Sequence, residues 1–113
     1  MQALGLLKEV DVAPEGQQTL LILPAPFLKQ FSPQHGVVFD EISMDILKLT
    51  MVDPGEPTAA KVYKLVSSRG SSWVSLPRPW LSNIGARPGD VVALFATADP
   101  NTLLVMWRKG PRP

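Results

Sequence analysis

A short pattern occurs twice in this chain. Residues 23–39 read LPAPFLKQFSPQHGVVF and residues 76–92 read LPRPWLSNIGARPGDVV. Aligned without a gap, they share Leu23/Leu76, Pro24/Pro77, Pro26/Pro79, Leu28/Leu81, Gly36/Gly89 and Val38/Val91, with Phe27 opposite Trp80 and Phe31 opposite Ile84. The matches fall on prolines, on a glycine and on apolar anchors, which fix backbone geometry and core packing. Self-similarity of this kind marks a repeated structural unit. The chain therefore reads as two copies of one unit fused together.

The flanks of the two copies follow one order. In the first half, strands are expected over 6–11 and 19–23, broken by the turn chemistry of Pro14-Glu15-Gly16. Pro24 and Pro26 stop the second strand, and Pro26 suits the first turn of a short helix to about residue 30. Strands over 37–42 and 46–52 complete the half. Asp53-Pro54-Gly55-Glu56-Pro57 opens a linker over 54–60, because two prolines and a glycine oppose a continuing strand. The second half then spans 61–107, with strands over 61–67, 73–76, 91–97 and 102–107 and a helix over 79–83. A β-β-α-β-β unit has too few strands to cover both of its faces. The expected solution is one mainly β barrel, closed by the two halves and pseudo-two-fold symmetric. At 113 residues it would be a single domain.

Composition removes several chemistries. There is no cysteine, which excludes disulfides and thiolate chemistry, and His35 is the single histidine, which leaves no histidine-based transition-metal set. No phosphate-cradling glycine motif is present. Ser67, Ser68, Ser71 and Ser72 surround a glycine turn without resembling a nucleophile elbow, and Asp40, Glu41 and Asp45 read as solvent-facing acids. An enzyme is not expected, nor a cofactor. No apolar run approaches the ~18 residues of a membrane span. Residues 1–12 carry Lys8, Glu9 and Asp11 and lack a cleavage pattern, so a cytoplasmic protein is expected. A formal net charge of +1 neither demands nor forbids nucleic acid, since local charge governs binding.

The run KVYKLVSSRGSSWVSLPRPWLSNIGARPGDVVALFATADPNTLLVM, residues 61–106, resembles the swapped-hairpin DNA-binding domain of the AbrB/SpoVT/MazE family. That unit is a strand, a glycine turn, a strand ending in proline, a helical turn, a Pro-Gly-Asp turn and a final hairpin. The first half, GLLKEVDVAPEGQQTLLILPAPFLKQFSPQHGVVFDEISMDILKLTM, is a degraded version, with Ser32-Pro33-Gln34-His35-Gly36 in place of Gly85-Ala86-Arg87-Pro88-Gly89. Members of the family usually carry one unit per chain and dimerise. The resemblance implies a swapped-hairpin (cradle-loop) β-barrel formed by one polypeptide, either a monomeric pseudo-dimer or a homodimer of it.

By position, the resemblance implies DNA contacts from Lys8 and Lys64 on the two first strands, Arg69 in the second-half loop, Lys29 on the first helical turn and Arg78 after Pro77. Cations on two loops related by an approximate two-fold can neutralise phosphates and reach base edges in successive grooves. The expected function is transcription regulation on double-stranded DNA. The chain departs from the family where the loop over 12–18 has no basic residue and contains Glu15, and where Ser82 stands opposite Lys29. A tail over 108–113 adds Arg108, Lys109 and Arg112 without an acid, suited to following a DNA backbone.

The competing expectation is a protein-binding regulatory module, antitoxin-like or RNA-polymerase-directed. A third form of it is an adaptor barrel without DNA binding, similar to the double-psi amino-terminal domains of Cdc48-like ATPases. The acidic stretch over 40–45 favours it. Trp80, opposite Phe27, reads as a core anchor. Trp73 and Trp107 lie in strands, and an exposed one would favour a protein interface, where tryptophan is enriched.

Overall fold

The computed structural model describes residues 2–14 and 16–111. Nine strands and two short helices follow one another as β1 (Gly5–Asp11), β2 (Leu20–Ile22), α1 (Ala25–Leu28), β3 (Gly36–Ser43), β4 (Ile46–Val52), β5 (Tyr63–Lys64), β6 (Val66–Ser68), β7 (Ser71–Ser75), α2 (Arg78–Ile84), β8 (Val91–Ala96) and β9 (Thr102–Arg108). The protein is mainly β and every strand pairing is antiparallel. Both helices follow a proline in extended conformation, Pro24 and Pro77, and carry a second proline within their first turn. A proline there loses no intrahelical hydrogen bond and presets φ, which is why such short helices hold.

Six strands form one sheet in the order β1-β8-β9-β4-β3-β5, and three form another in the order β2-β7-β6. Only the hairpins β3–β4, β6–β7 and β8–β9 stay within a half. The ladders β1–β8, β3–β5, β4–β9 and β2–β7 each join one half to the other. In the last of these, Leu21 lies opposite Val74, its own counterpart in the repeat.

The first strand of the second half differs from expectation. In place of one strand over 61–67 there are two, β5 pairing only with β3 and β6 only with β7. The break falls at Leu65, whose side chain is buried in the core just where the chain passes from one sheet to the other. Among the described residues the ladders do not run continuously around the core. One sheet ends at β1 and β5, and the other at β2 and β6.

Alternation builds the core. Leu47, Leu49 and Met51 point inward from β4, and Leu103 and Val105 from β9. They meet Val92 and Leu94 of β8, Leu21 and Val74 of the smaller sheet, and the two helix anchors Phe27 and Trp80. Fully burying each such aliphatic side chain contributes about 1.5–3 kcal/mol, so the halves are held together by a core neither could form alone. Trp80 also donates its indole N–H to the carbonyl of Met44 at 3.1 Å, pinning α2 onto the β3–β4 turn. No helix among the described residues is long and apolar enough to cross a membrane.

Candidate nucleic-acid interface

Two sets of cations lie at opposite ends of β7. At one end, β6 and β7 are joined by Arg69-Gly70, flanked by the pair Ser68/Ser71. Both turn residues have positive φ, 51° and 79°. Two central residues with φ > 0 define a type I′ hairpin turn, whose twist matches the flanking strands. Arginine is an unusual first residue for it, and Arg69 is the only non-glycine with positive φ among the described residues. Its guanidinium stands exposed at the tip, above a collar of serines in which Ser67 and Ser72 share a 2.8 Å hydroxyl contact.

At the other end, β7 runs into Pro77 and α2, which begins with Arg78. The helix stops at Gly85, a left-handed C-cap with φ 69°, and Arg87, Pro88 and Gly89 turn the chain into β8. Asp90 organises this turn. Its side chain is fully buried, and its oxygens accept from the backbone N–H of Arg87 (2.9 Å), the indole N–H of Trp107 (3.0 Å) and the backbone N–H of Gly110 (2.8 Å). Its carbonyl accepts from the N–H of Val12 at 3.0 Å. One residue thus ties together the loop after β1, the turn before β8 and the strand end of β9. The loop over 12–19 is closed by Thr19, whose hydroxyl accepts from the N–H of Ala13, and is tied to β7 by the bond from Ser75 to Gln18. Between this loop and α2 lies a cleft of about 560 Å³, with Arg78 and Arg87 on its α2 wall.

The other expected cations fall around these two sets. Arg108 pairs with Val91 at the start of β8, its guanidinium 5.7 Å from the centre of the Phe95 ring. Lys109 is exposed beside it, and Gly110 packs against the Gly89 carbonyl. The beginning of the basic tail is therefore docked on the Asp90 turn. Arg112 and the loop residue Glu15 lie outside the described residues. Lys64 pairs with Gly36, and Lys29 is the exposed C-cap of α1. Lys8 is half-buried opposite Leu94. The two first-strand lysines do not correspond: Lys64 sits where β5 meets the start of β3, whereas Lys8 sits well along β1.

The single contact between a histidine, lysine or arginine side chain and a carboxylate among the described residues joins His35 to Asp53, with Nε2 and Oδ1 2.9 Å apart. The backbone N–H of Ser32 donates to Nδ1 of the same ring. Every arginine and lysine described above is thus without a carboxylate partner among the described residues.

Arg87 is the cation that sequence reading passed over. Its signal lies in the repeat, where Arg78 and Arg87 stand opposite Ala25 and Gln34, so both cleft arginines belong to the second copy alone.

The outer face of the smaller sheet lies between the two cationic ends, and it is uncharged, with an apolar centre flanked by Ser75 and by Ser68 and Ser71. Ile22, Trp73 and Val66 form one cross-strand row, with Leu20 beside it, and Leu20, Ile22 and Val66 are exposed. Asp40, Glu41 and Asp45 are exposed at the β3–β4 hairpin. No group of three or more histidine or carboxylate side chains among the described residues could hold a metal ion.

No protein-family model, no curated protein and no solved structure matches this chain.

Proposed function

We propose that the chain is a DNA-binding transcription regulator: two fused units of the AbrB/SpoVT/MazE type forming one swapped-hairpin barrel. The interleaved pairing supports the architecture. The first strand of each half joins the third strand of the other, the second strands pair with each other, and so do the fourth. An approximate two-fold through the Leu21/Val74 pair relates the loop over 12–19 to the Arg69-Gly70 hairpin.

The observation that carries the DNA reading is the position of arginines without a carboxylate partner among the described residues at both ends of the β2–β7 pair, Arg69 at one and Arg78 with Arg87 at the other. At about 3.3 Å per residue along β7, the two sets stand on the order of 20 Å apart. Cations at that spacing can engage separate stretches of duplex backbone, with Arg108, Lys109, Lys64 and Lys29 extending the contact and arginine suited to bidentate oxygens. Lys8, half-buried, is a minor contributor.

Fluorescence anisotropy on promoter-length duplex at about 50 and 200 mM salt tests this. Affinity should be micromolar or better at the lower salt and fall steeply at the higher. Arg69→Asn separates charge from folding, because asparagine before glycine is the preferred type I′ pair. We expect it to raise hairpin stability by up to about 1 kcal/mol while weakening DNA binding and flattening its salt dependence. Unchanged binding by this variant and by Arg78→Ala would overturn the assignment.

The row Ile22–Trp73–Val66 favours a second reading, a module that binds a regulatory protein through the uncharged face of the smaller sheet. Uncharged, aromatic-centred surfaces suit protein contacts. If wild-type protein ignores duplex DNA at low salt, and Trp73→Gln loses a partner recovered from the native host, this reading replaces the first.

A further inference from the structure

We propose that the cleft between the loop over 12–19 and α2 is a binding site for a small organic oxyanion: a carboxylate or phosphate monoester with a compact apolar body. Its volume, about 560 Å³, lies within the range of small-molecule sites, roughly 300–1,000 Å³. Val12, Leu81 and Ala86 give it apolar surface, and Arg78 and Arg87 are the only charged side chains among its described lining residues. The cleft is partly open, and both of its arginines are exposed and so within reach of a ligand entering from solvent.

Both arginines project from restrained backbone. Arg78 stands between Pro77 and Pro79 on a helix whose next residue, Trp80, is buried. Arg87 precedes Pro88, and its own N–H is held by Asp90. On the opposite wall, Val12 bonds to Asp90 and Ala13 to Thr19. Backbone already held at Val12, Ala13 and Arg87 need not be ordered on binding, which favours affinity. Two guanidiniums can each present paired N–H donors to an oxyanion, and neither has an ion-pair partner among the described residues.

This inference goes beyond DNA binding. A two-fold DNA face would place like cations at both ends, yet the first copy has Ala25 and Gln34 at the matching positions. The paired arginines are a property of one end, as a single ligand pocket requires.

The test is a ¹H–¹⁵N NMR titration of the full chain, without DNA, with benzoate, phenyl phosphate, inorganic phosphate and benzyl alcohol. The amides of Gly16, Gln17 and Arg87 and the indole N–H of Trp107 report on the cleft. We expect saturable shifts at these groups with benzoate or phenyl phosphate, and at least tenfold weaker binding of benzyl alcohol and inorganic phosphate. Whichever organic anion binds more tightly identifies the favoured head group. Arg78→Gln and Arg87→Gln should each weaken that anion about tenfold or more, the size of a lost charge-assisted contact, with an unchanged melting temperature. Arg108→Gln should leave it unchanged.

Absence of saturation by both organic anions would overturn the proposal. So would benzyl alcohol binding as tightly as the anions, or anion binding indifferent to both cleft replacements. Inorganic phosphate binding as tightly as phenyl phosphate would reduce the site to a generic anion contact and equally overturn it. Each result is obtained without DNA, so the anisotropy outcome stands apart from it.

Discussion

The turns that lead into β3 and β8 occupy the same place in the repeat and are held by opposite means. In the first half, Val37 is fully buried and the turn is braced from outside. There, the His35 ring lies between Ser32 and the exposed Asp53, with Phe31 packed edge-on at 5.3 Å. In the second half, the residue matching Val37 is Asp90, equally buried, and the turn is braced from inside by its three N–H donors. A buried carboxyl is tolerated only when its lone pairs are used. Here that need draws the loop after β1, the turn and the end of β9 to one point. Two of the segments so held, at Val12 and Arg87, line the cleft. Matching positions of the repeated pattern can thus be a plain core site in one half and the organising centre of a candidate site in the other.

Interchanging the two devices should break the molecule most severely. Val37→Asp places a carboxyl in the core with no partners provided, and we expect a loss of about 3–5 kcal/mol, the scale of an uncompensated buried charge, read from urea unfolding. A loss below 1 kcal/mol would mean that the first-half turn can recruit donors as the second does. Asp90→Asn sets an amide N–H against donors that now find an oxygen and should cost about 2–4 kcal/mol. Hydrogen exchange should then accelerate at Val12, Arg87 and Gly110 together, because they share this anchor. Acceleration at Arg87 alone would show that the three segments are not coupled.

Gly110→Ala is next. A Cβ there would run into the Gly89 carbonyl, which is backbone and has little room to yield. We expect about 1–3 kcal/mol, the range of local overpacking, visible as a lower melting temperature and a shifted Trp107 indole resonance. The smallest effect belongs to the first half. His35→Ala removes contacts on an exposed turn whose carboxylate partner is 76% accessible, so the hydrogen bond between them adds little. The expected loss is within about 1 kcal/mol in thermal unfolding. A cost as large as that of Asp90→Asn would erase the contrast between the turns.

Much of the fold was legible because its punctuation is local. Prolines 24, 26, 77 and 79 ended strands and began helices through fixed φ and a missing donor, and glycines 70 and 85 supplied left-handed backbone where turns and a cap needed it. The apolar alternation of β4 was equally plain. The break at Leu65 was not, since it depends on where two sheets meet and not on any breaker residue. The site was legible in part. Arg69 was placed on a loop and Arg78 after Pro77, but their separation to opposite ends of β7 follows from strand direction, which composition does not encode. Arg87 escaped attention because its chemistry depends on the neighbouring loop over 12–19, distant in sequence.

By itself, then, the sequence determined the repeated pattern, most of the order of elements and the lack of cysteine and of a second histidine, because these rest on residue identity and near-neighbour sterics. Tertiary structure alone decided which half supplies each strand's partner, what Asp90 accepts and which arginines share a cleft. Those outcomes depend on long-range ladders such as β1–β8 and β3–β5, where the register between distant segments sets the neighbours of every side chain.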